Sequence, residues 1–219
     1  MKLLVINPNT TIAITALLYR HVGAAVRRDV GVHVVTARFG APYIADEASF
    51  AAGADAVLDA WRAFRAEHAE PDAVLVGCFG DPGCAALRGI AAAPVIGLAG
   101  AAMEEAASRG RFAIVTGGAA WRPMLARLAA ELGFDDALAA IHIVAPSGAE
   151  LAADPEGAMT LLSDACRRAA VGVDSVVLGG AGLADFAEML APCIDVPLID
   201  SIGAGARAAM AAASARNAR

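Results

Sequence analysis

A chain of 219 residues, 58% hydrophobic and 18% charged, is long enough for one large α/β domain or two small ones and lies far from disordered composition. Its net charge of −6 gives no basic footprint for nucleic acid, and charge or glycine interrupts every apolar run before the roughly 18 residues of a membrane span. The four cysteines, Cys78, Cys84, Cys166 and Cys193, form no CxxC pair and no Cys/His cluster, so a metal site is not expected and free thiols are.

The opening MKLLVINPNT has an apolar run too short for a signal peptide, and the run ends in turn residues. It reads as a first strand, and the cytoplasm is the default location. In chain order, strands are expected at Lys2–Asn7, Val32–Ala37, Ala73–Gly77, Val95–Gly97, Arg111–Thr116, Ala140–Val144, Ser175–Gly179 and Pro197–Asp200. Helices are expected at Thr11–Arg28, Glu47–Glu67, Cys84–Ile90, Ala101–Arg109, Ala120–Leu132, Glu156–Ala170, Ala184–Leu190 and Gly203–Arg216. Continuously apolar strands indicate parallel sheets covered on both faces, and the strand–helix alternation indicates an α/β fold.

An internal repeat sharpens this. Asp72-Ala-Val-Leu-Val-Gly-Cys78-Phe-Gly80 aligns with Asp174-Ser-Val-Val-Leu-Gly-Gly180-Ala-Gly182. APVIG (93–97) answers VPLID (196–200), and LLVINPNT (3–10) answers FAIVTGGA (112–119). The order of these matches implies two pseudo-symmetric halves, each a parallel sheet flanked by helices. The first spans 1–98 plus 201–219 and the second 99–200. Loops after parallel strands carry the chemistry, so the active site is expected in a cleft between the halves.

Cys78 follows an apolar strand and precedes a glycine-containing turn into a helix. A helix start lowers a thiol pKa, and the Phe79 and Gly80 N–H groups suit a carboxylate or an oxyanion. NPNT (7–10) ends the first strand in a turn that caps a helix through Thr10 or Thr11, and the Asn9 amide is a candidate substrate contact. Thr116, Gly117 and Gly118 form its mirror, a hydroxyl plus bare N–H groups. Between Gly40 and Phe50, Tyr43 is a further contact and Asp46 or Glu47 is a helix cap; either carboxylate could assist proton transfer from the cleft rim, and Glu47 is also a candidate substrate contact. His21, His33, His68 and His142 fall away from the expected rim, and the other three cysteines read as packing residues. Gly180-Ala-Gly182 lacks the third glycine of a dinucleotide fingerprint, and no P-loop lysine is present.

INPNT, DAVLVGCFGDPG, DSVVLGGAGLADF and VPLID together resemble the aspartate/glutamate/hydantoin racemase superfamily, most closely its hydantoin racemase branch, over nearly the whole chain. The resemblance implies a cofactor-free enzyme in which two cysteines flank a small substrate bearing a carboxylate or ring carbonyl. One removes the proton next to a carbonyl and the other protonates the opposite face. By matched position Cys78 is the first cysteine. Asn9, Phe79, Gly80, Thr116, Gly117 and Ala181 fall in the substrate-cradling loops, and Gly180 stands where the second cysteine is expected. The resemblance also implies a homo-oligomer.

One thiol suffices for two kinds of chemistry on a hydantoin-like or thiohydantoin ring. It can protonate one face, or it can attack an electrophilic carbon with hydrolysis or loss of sulfide. The alternatives are a racemase with a non-cysteine second acid, a lyase resembling arylmalonate decarboxylase, and an inactive binding homologue.

Overall fold

Both sheets start at a carboxylate, which explains the aspartate that heads each copy of the repeat. The computed structural model describes residues 1–218. Asp72 accepts from the Lys2 N–H (2.6 Å) while its own N–H donates to the Lys2 carbonyl (2.8 Å). Asp174 makes the same reciprocal pair with Arg111, both bonds at 2.7 Å. Each side chain thereby satisfies a backbone N–H where the ladder begins.

The first compact unit comprises Met1–Leu98 together with the carboxy-terminal segment from Ile202. Its elements are β1 (Lys2–Asn7), α1 (Ile12–Ala25), β2 (Gly31–Thr36), α2 (Glu47–Glu67), β3 (Ala73–Val76), α3 (Cys84–Arg88) and β4 (Val95–Gly97). The sheet runs β2-β1-β3-β4, with every neighbouring pair parallel. Residues of β1 and β3 alternate between two covered faces. Leu4, Ile6, Val74 and Val76 pack with Val57, Ala60 and Trp61 of α2 and Leu87 of α3. Each large aliphatic side chain buried in this way contributes about 1.5–3 kcal/mol.

The second unit, Ala99–Ser201, repeats the topology. α4 (Leu98–Ala107) leads into β5 (Phe112–Gly117), α5 (Trp121–Glu131), β6 (Leu138–Val144), α6 (Gly148–Ala153), α7 (Pro155–Ala169), β7 (Ser175–Leu178), α8 (Ala184–Leu190) and β8 (Leu198–Asp200). The strand order is β6-β5-β7-β8, again all parallel. Its core joins Val115, Val176 and Leu178 to Leu162 and Cys166 of α7 and Phe186 and Leu190 of α8. α9 (Ser201–Asn217) closes the chain. Gly205 of α9 passes so close to Leu98 and Leu75 that an added Cβ would lie 2.7 and 3.0 Å from their side chains.

The expected α/β class with parallel, helix-covered sheets is what the chain forms. The differences are local. α4 begins directly at Leu98 rather than at Ala101. α1 stops at Ala25, because Val26 turns to extended geometry. α6 was not anticipated; a capping box holds it, with Ser147 and Glu150 exchanging hydrogen bonds. Ser201 belongs with the second unit, where its Oγ accepts from the Gly180 N–H at 3.4 Å.

Candidate active site

In the first unit the chain passes from β1 outward to β2, then returns across β1 to β3. The loops after β1 and β3 therefore leave the sheet in diverging directions. The crevice at such a switch point is where open α/β sheets bind ligands. Asn7–Thr11 and Cys78–Gly83 border it.

The first of these loops is built by asparagines. Asn7, fully buried, donates through Nδ2 to Asn9 Oδ1 (3.1 Å), the Thr11 carbonyl (3.2 Å) and Thr15 Oγ1 (2.9 Å). Asn9 Oδ1 also accepts from the Thr11 N–H (2.9 Å), an Asx turn that starts α1. The Asn9 carbonyl oxygen is thus committed, while its NH₂ has no acceptor among the described residues. It is a donor held ready at the strand end.

The segment between β2 and α2 is tied to the same loop. The Thr10 N–H donates to the Ala41 carbonyl (3.1 Å) and Thr11 Oγ1 to the Pro42 carbonyl (2.6 Å). Half-buried Tyr43 follows directly. Asp46, not Glu47, caps α2, accepting from the Ser49 N–H at 2.8 Å. Glu47 opens that helix as an exposed residue.

Cys78 is half-buried and free, two residues beyond the end of β3. The Phe79 side chain, 3% exposed, packs inward. The N–H groups of Phe79 and Gly80 find no acceptor among the described residues. Buried backbone donors are nearly always paired, so two consecutive unpaired ones beside a thiol form a cradle for an anion or a carbonyl oxygen.

The expected lowering of the thiol pKa does not occur. Burial pushes the Cys78 thiol well above its ordinary value, and the nearby Asp81 carboxylate adds to the rise. The reason is position. α3 is five residues long and starts only at Cys84, too far along for its dipole to reach Cys78. Burial and Asp81 thus both favour the thiol form of Cys78 over the thiolate.

The second unit has its switch point between β5 and β7. The Thr116 hydroxyl is not free, as it donates to the Gly179 carbonyl at 2.7 Å. Nor is the Gly118 N–H bare, since it donates to the Val144 carbonyl at 3.1 Å. Gly117 is buried as the last residue of β5. Gly180 has φ 131° and ψ 125°, a conformation that side-chain-bearing residues rarely adopt. Ala181 is 9% exposed in the short 3₁₀ turn that follows.

Register makes Cys78 and Gly180 equivalent. Val76 pairs with Gly97 and Leu178 with Asp200, and each loop residue lies two positions farther along its strand. The first unit thus gathers Asn9, Phe79, Gly80 and Cys78 around its switch point, with Tyr43 on the segment tied to the Asn9 loop. The second places Thr116, Gly117, Gly118, Gly180 and Ala181 around its own.

Other titratable groups lie elsewhere. His33 and His68 line a cavity of about 440 Å³ at the opposite ends of β1 and β2, with Phe64 and Lys2. His142 on β6 is held below its usual pKa by burial and by Arg122 and Arg168. Cys84 and Cys166 are buried packing residues, but Cys193 is exposed in a 3₁₀ turn. Among the described residues no three His, Cys, Asp or Glu side chains are grouped to hold a metal ion, and no helix is long and apolar enough to cross a membrane. Two residues near the loops escaped the sequence reading. Asp81 was hidden in an ordinary-looking Gly-Asp-Pro-Gly turn, and Ser201 at a strand–helix junction.

Known proteins match the chain over nearly its whole length. A family model described as Asp/Glu/Hydantoin racemase matches residues 3–209. Hydantoin racemase of Paenarthrobacter aurescens is 31% identical over 217 residues, covering 95% of this chain and 89% of the relative. That of Pseudomonas sp. (strain NS671) is 30% identical over 210 residues, covering 94% and 84%. The solved allantoin racemase from Klebsiella pneumoniae is 31% identical and superposes with a TM-score of 0.92, over 99% of this chain and 89% of that one.

Proposed function

The chain belongs to the Asp/Glu/hydantoin racemase family, and we propose that it catalyses cofactor-independent proton transfer at the carbon beside a carbonyl of a hydantoin-type ring, with Cys78 as the transferring group. The observation that carries this is the half-buried Cys78 thiol next to the unpaired N–H groups of Phe79 and Gly80. Removing the ring proton moves negative charge onto the carbonyl oxygen. Donors already in place stabilise that enolate without reorganising. The Asn9 NH₂ is suited to a second oxygen of the same ring.

In this mechanism the Cys78 thiolate takes the ring proton from one face, its S–H bond forming as the C–H bond breaks. The thiol, after exchange with solvent, returns a proton to the same face of the enolate and is again a thiolate. Gly180, at the equivalent position of the second unit, has no side chain to act as a second acid. Exchange at the Cys78 face therefore outpaces inversion. The relatives are hydantoin and allantoin racemases by name, and allantoin is itself a hydantoin ring bearing a ureido group. They favour a second version in which water or a carboxylate completes racemisation. A decarboxylation whose carbanion Cys78 protonates uses the thiol in the same form. Attack by Cys78 on a thiohydantoin with loss of sulfide draws on the same thiolate, and the relatives, racemases by name, do not favour it.

The test is incubation of each hydantoin and allantoin enantiomer in deuterated water. The expected result is deuterium uptake into one enantiomer faster than its inversion. Inversion with full deuterium gain selects the racemase version. No exchange in any substrate overturns proton transfer, and sulfide released from a thiohydantoin would replace it with the hydrolytic reaction.

A further inference from the structure

Asp81 departs from ordinary loop behaviour in three ways. It is the one non-glycine residue with positive φ among the described residues, at 61°. Its side chain is buried, at 8% exposure, which is rare for a carboxylate. Its carboxyl group also lies directly against Gly97, where an added Cβ would collide with the carboxyl carbon and both oxygens. A left-handed backbone, a buried carboxyl group and a bare α-carbon opposite it meet at one place.

The second unit reaches a related arrangement differently. Positions 97 and 200 hold equivalent register, opposite Val76 and Leu178. At 200 the strand supplies its own carboxylate, Asp200. At 97 the strand carries a glycine and the loop supplies Asp81 instead. The Asp81 main chain is tied to that of Cys78. The Asp81 N–H donates to the Cys78 carbonyl at 3.1 Å, and the Asp81 carbonyl accepts from the Cys84 N–H at 3.2 Å.

We propose that Asp81 is a positioning residue for Cys78: anchored over Gly97, it fixes the turn that presents the thiol and holds a carboxyl group beside it. The proposal rests on Cys78 being the acting group. Asp81 raises both Cys78 and Cys84, whereas Arg88 of α3 acts on Cys84. β1 ends in Asn7, α1 packs Leu18 against Gly77, and α2 brings Ala54 and Val57 to Gly83.

The experiment is iodoacetamide alkylation of the full chain across pH, without substrate, with labelling at Cys78 read by peptide mass spectrometry. Asp81→Asn keeps the shape and removes the charge. It should move the Cys78 profile to lower pH by about one unit, making labelling about tenfold faster at a given pH below the midpoint. If Asp81→Asn does not fold, Asp81→Glu displaces the charge by one methylene and should shift the profile as well. A folded variant whose profile superimposes on that of the parent overturns the proposal. Turnover plays no part in the readout. A shifted profile in an inactive protein would count against the proposed reaction alone, and an unshifted profile in an active one against Asp81 alone.

Discussion

The Thr116 hydroxyl donates a 2.7 Å hydrogen bond to the carbonyl of Gly179, tying the end of β5 to the residue before Gly180. Thr116 is 4% exposed, so water cannot readily replace the bond. Thr116→Val keeps the shape and strands the carbonyl, and should cost about 1–3 kcal/mol. Thr116→Ser should recover most of it. Urea unfolding midpoints of the three proteins measure the difference.

Cys78→Ala should lower turnover by at least about 10²-fold, the usual minimum for a positioned acid–base group. Stability should change by less than about 1 kcal/mol, because the side chain is small and only half-buried. Turnover that survives in the variant would remove Cys78 from the mechanism.

A side chain at 180 meets space but not comfort. An added Cβ would sit 3.5 Å from Leu183 and 4.0 Å from Thr116 Oγ1, ordinary contacts, yet φ is 131°. Gly180→Ala should therefore destabilise the protein by about 1–3 kcal/mol through backbone strain alone. Gly180→Cys should carry a similar cost and raise the inversion rate of a hydantoin, followed by polarimetry. Equal inversion rates in the Ala and Cys variants would argue against a chemical role for this position.

Gly97→Ala drives a methyl group into the Asp81 carboxyl, and overpacking of this kind costs about 1–3 kcal/mol. The same substitution in an Asp81→Ala background should cost much less. A double-mutant cycle on thermal or urea unfolding gives the coupling, and additive costs would mean the two residues do not press on each other.

Alkaline stability should reflect Cys166. Burial pushes its thiol up to about 12 from an ordinary 9.0. The folded pKa is above the unfolded one, so this contribution is complete below about pH 9 and is lost as pH rises toward about 12. The slope is at most about 1.4 kcal/mol per pH unit. Cys166→Ala should flatten the fall in urea midpoint between pH 9 and 11, whatever its cost at pH 7.

The strands were legible because a strand covered on both faces has no polar positions. Leu3–Ile6 and Val74–Val76 are apolar without interruption and buried without exception. Asp72 and Asp174 were visible as a repeat, although their role as reciprocal partners of Lys2 and Arg111 depends on which strands are neighbours. α6 could have been read from Ser147 and Glu150, whose spacing is a helix-start signature. The thiol's electrostatics could not. They depend on where α3 starts and on a carboxyl group placed over Gly97 by strand register, neither of which is local in the chain. The same holds for Thr116, whose hydroxyl looked available until its partner 63 residues away was known.

The first unit is discontinuous. Its sheet is complete at Gly97, yet α9, which packs Gly205 against Leu75 and Leu98 and is latched by Asn217 to Asp72 and by Arg216 to the Pro71 carbonyl, is synthesised after the whole second unit. On the ribosome the later-made unit is therefore the first that can finish folding. The earlier-made sheet, which carries Cys78, must wait with Leu75 and Leu98 still lacking their helix.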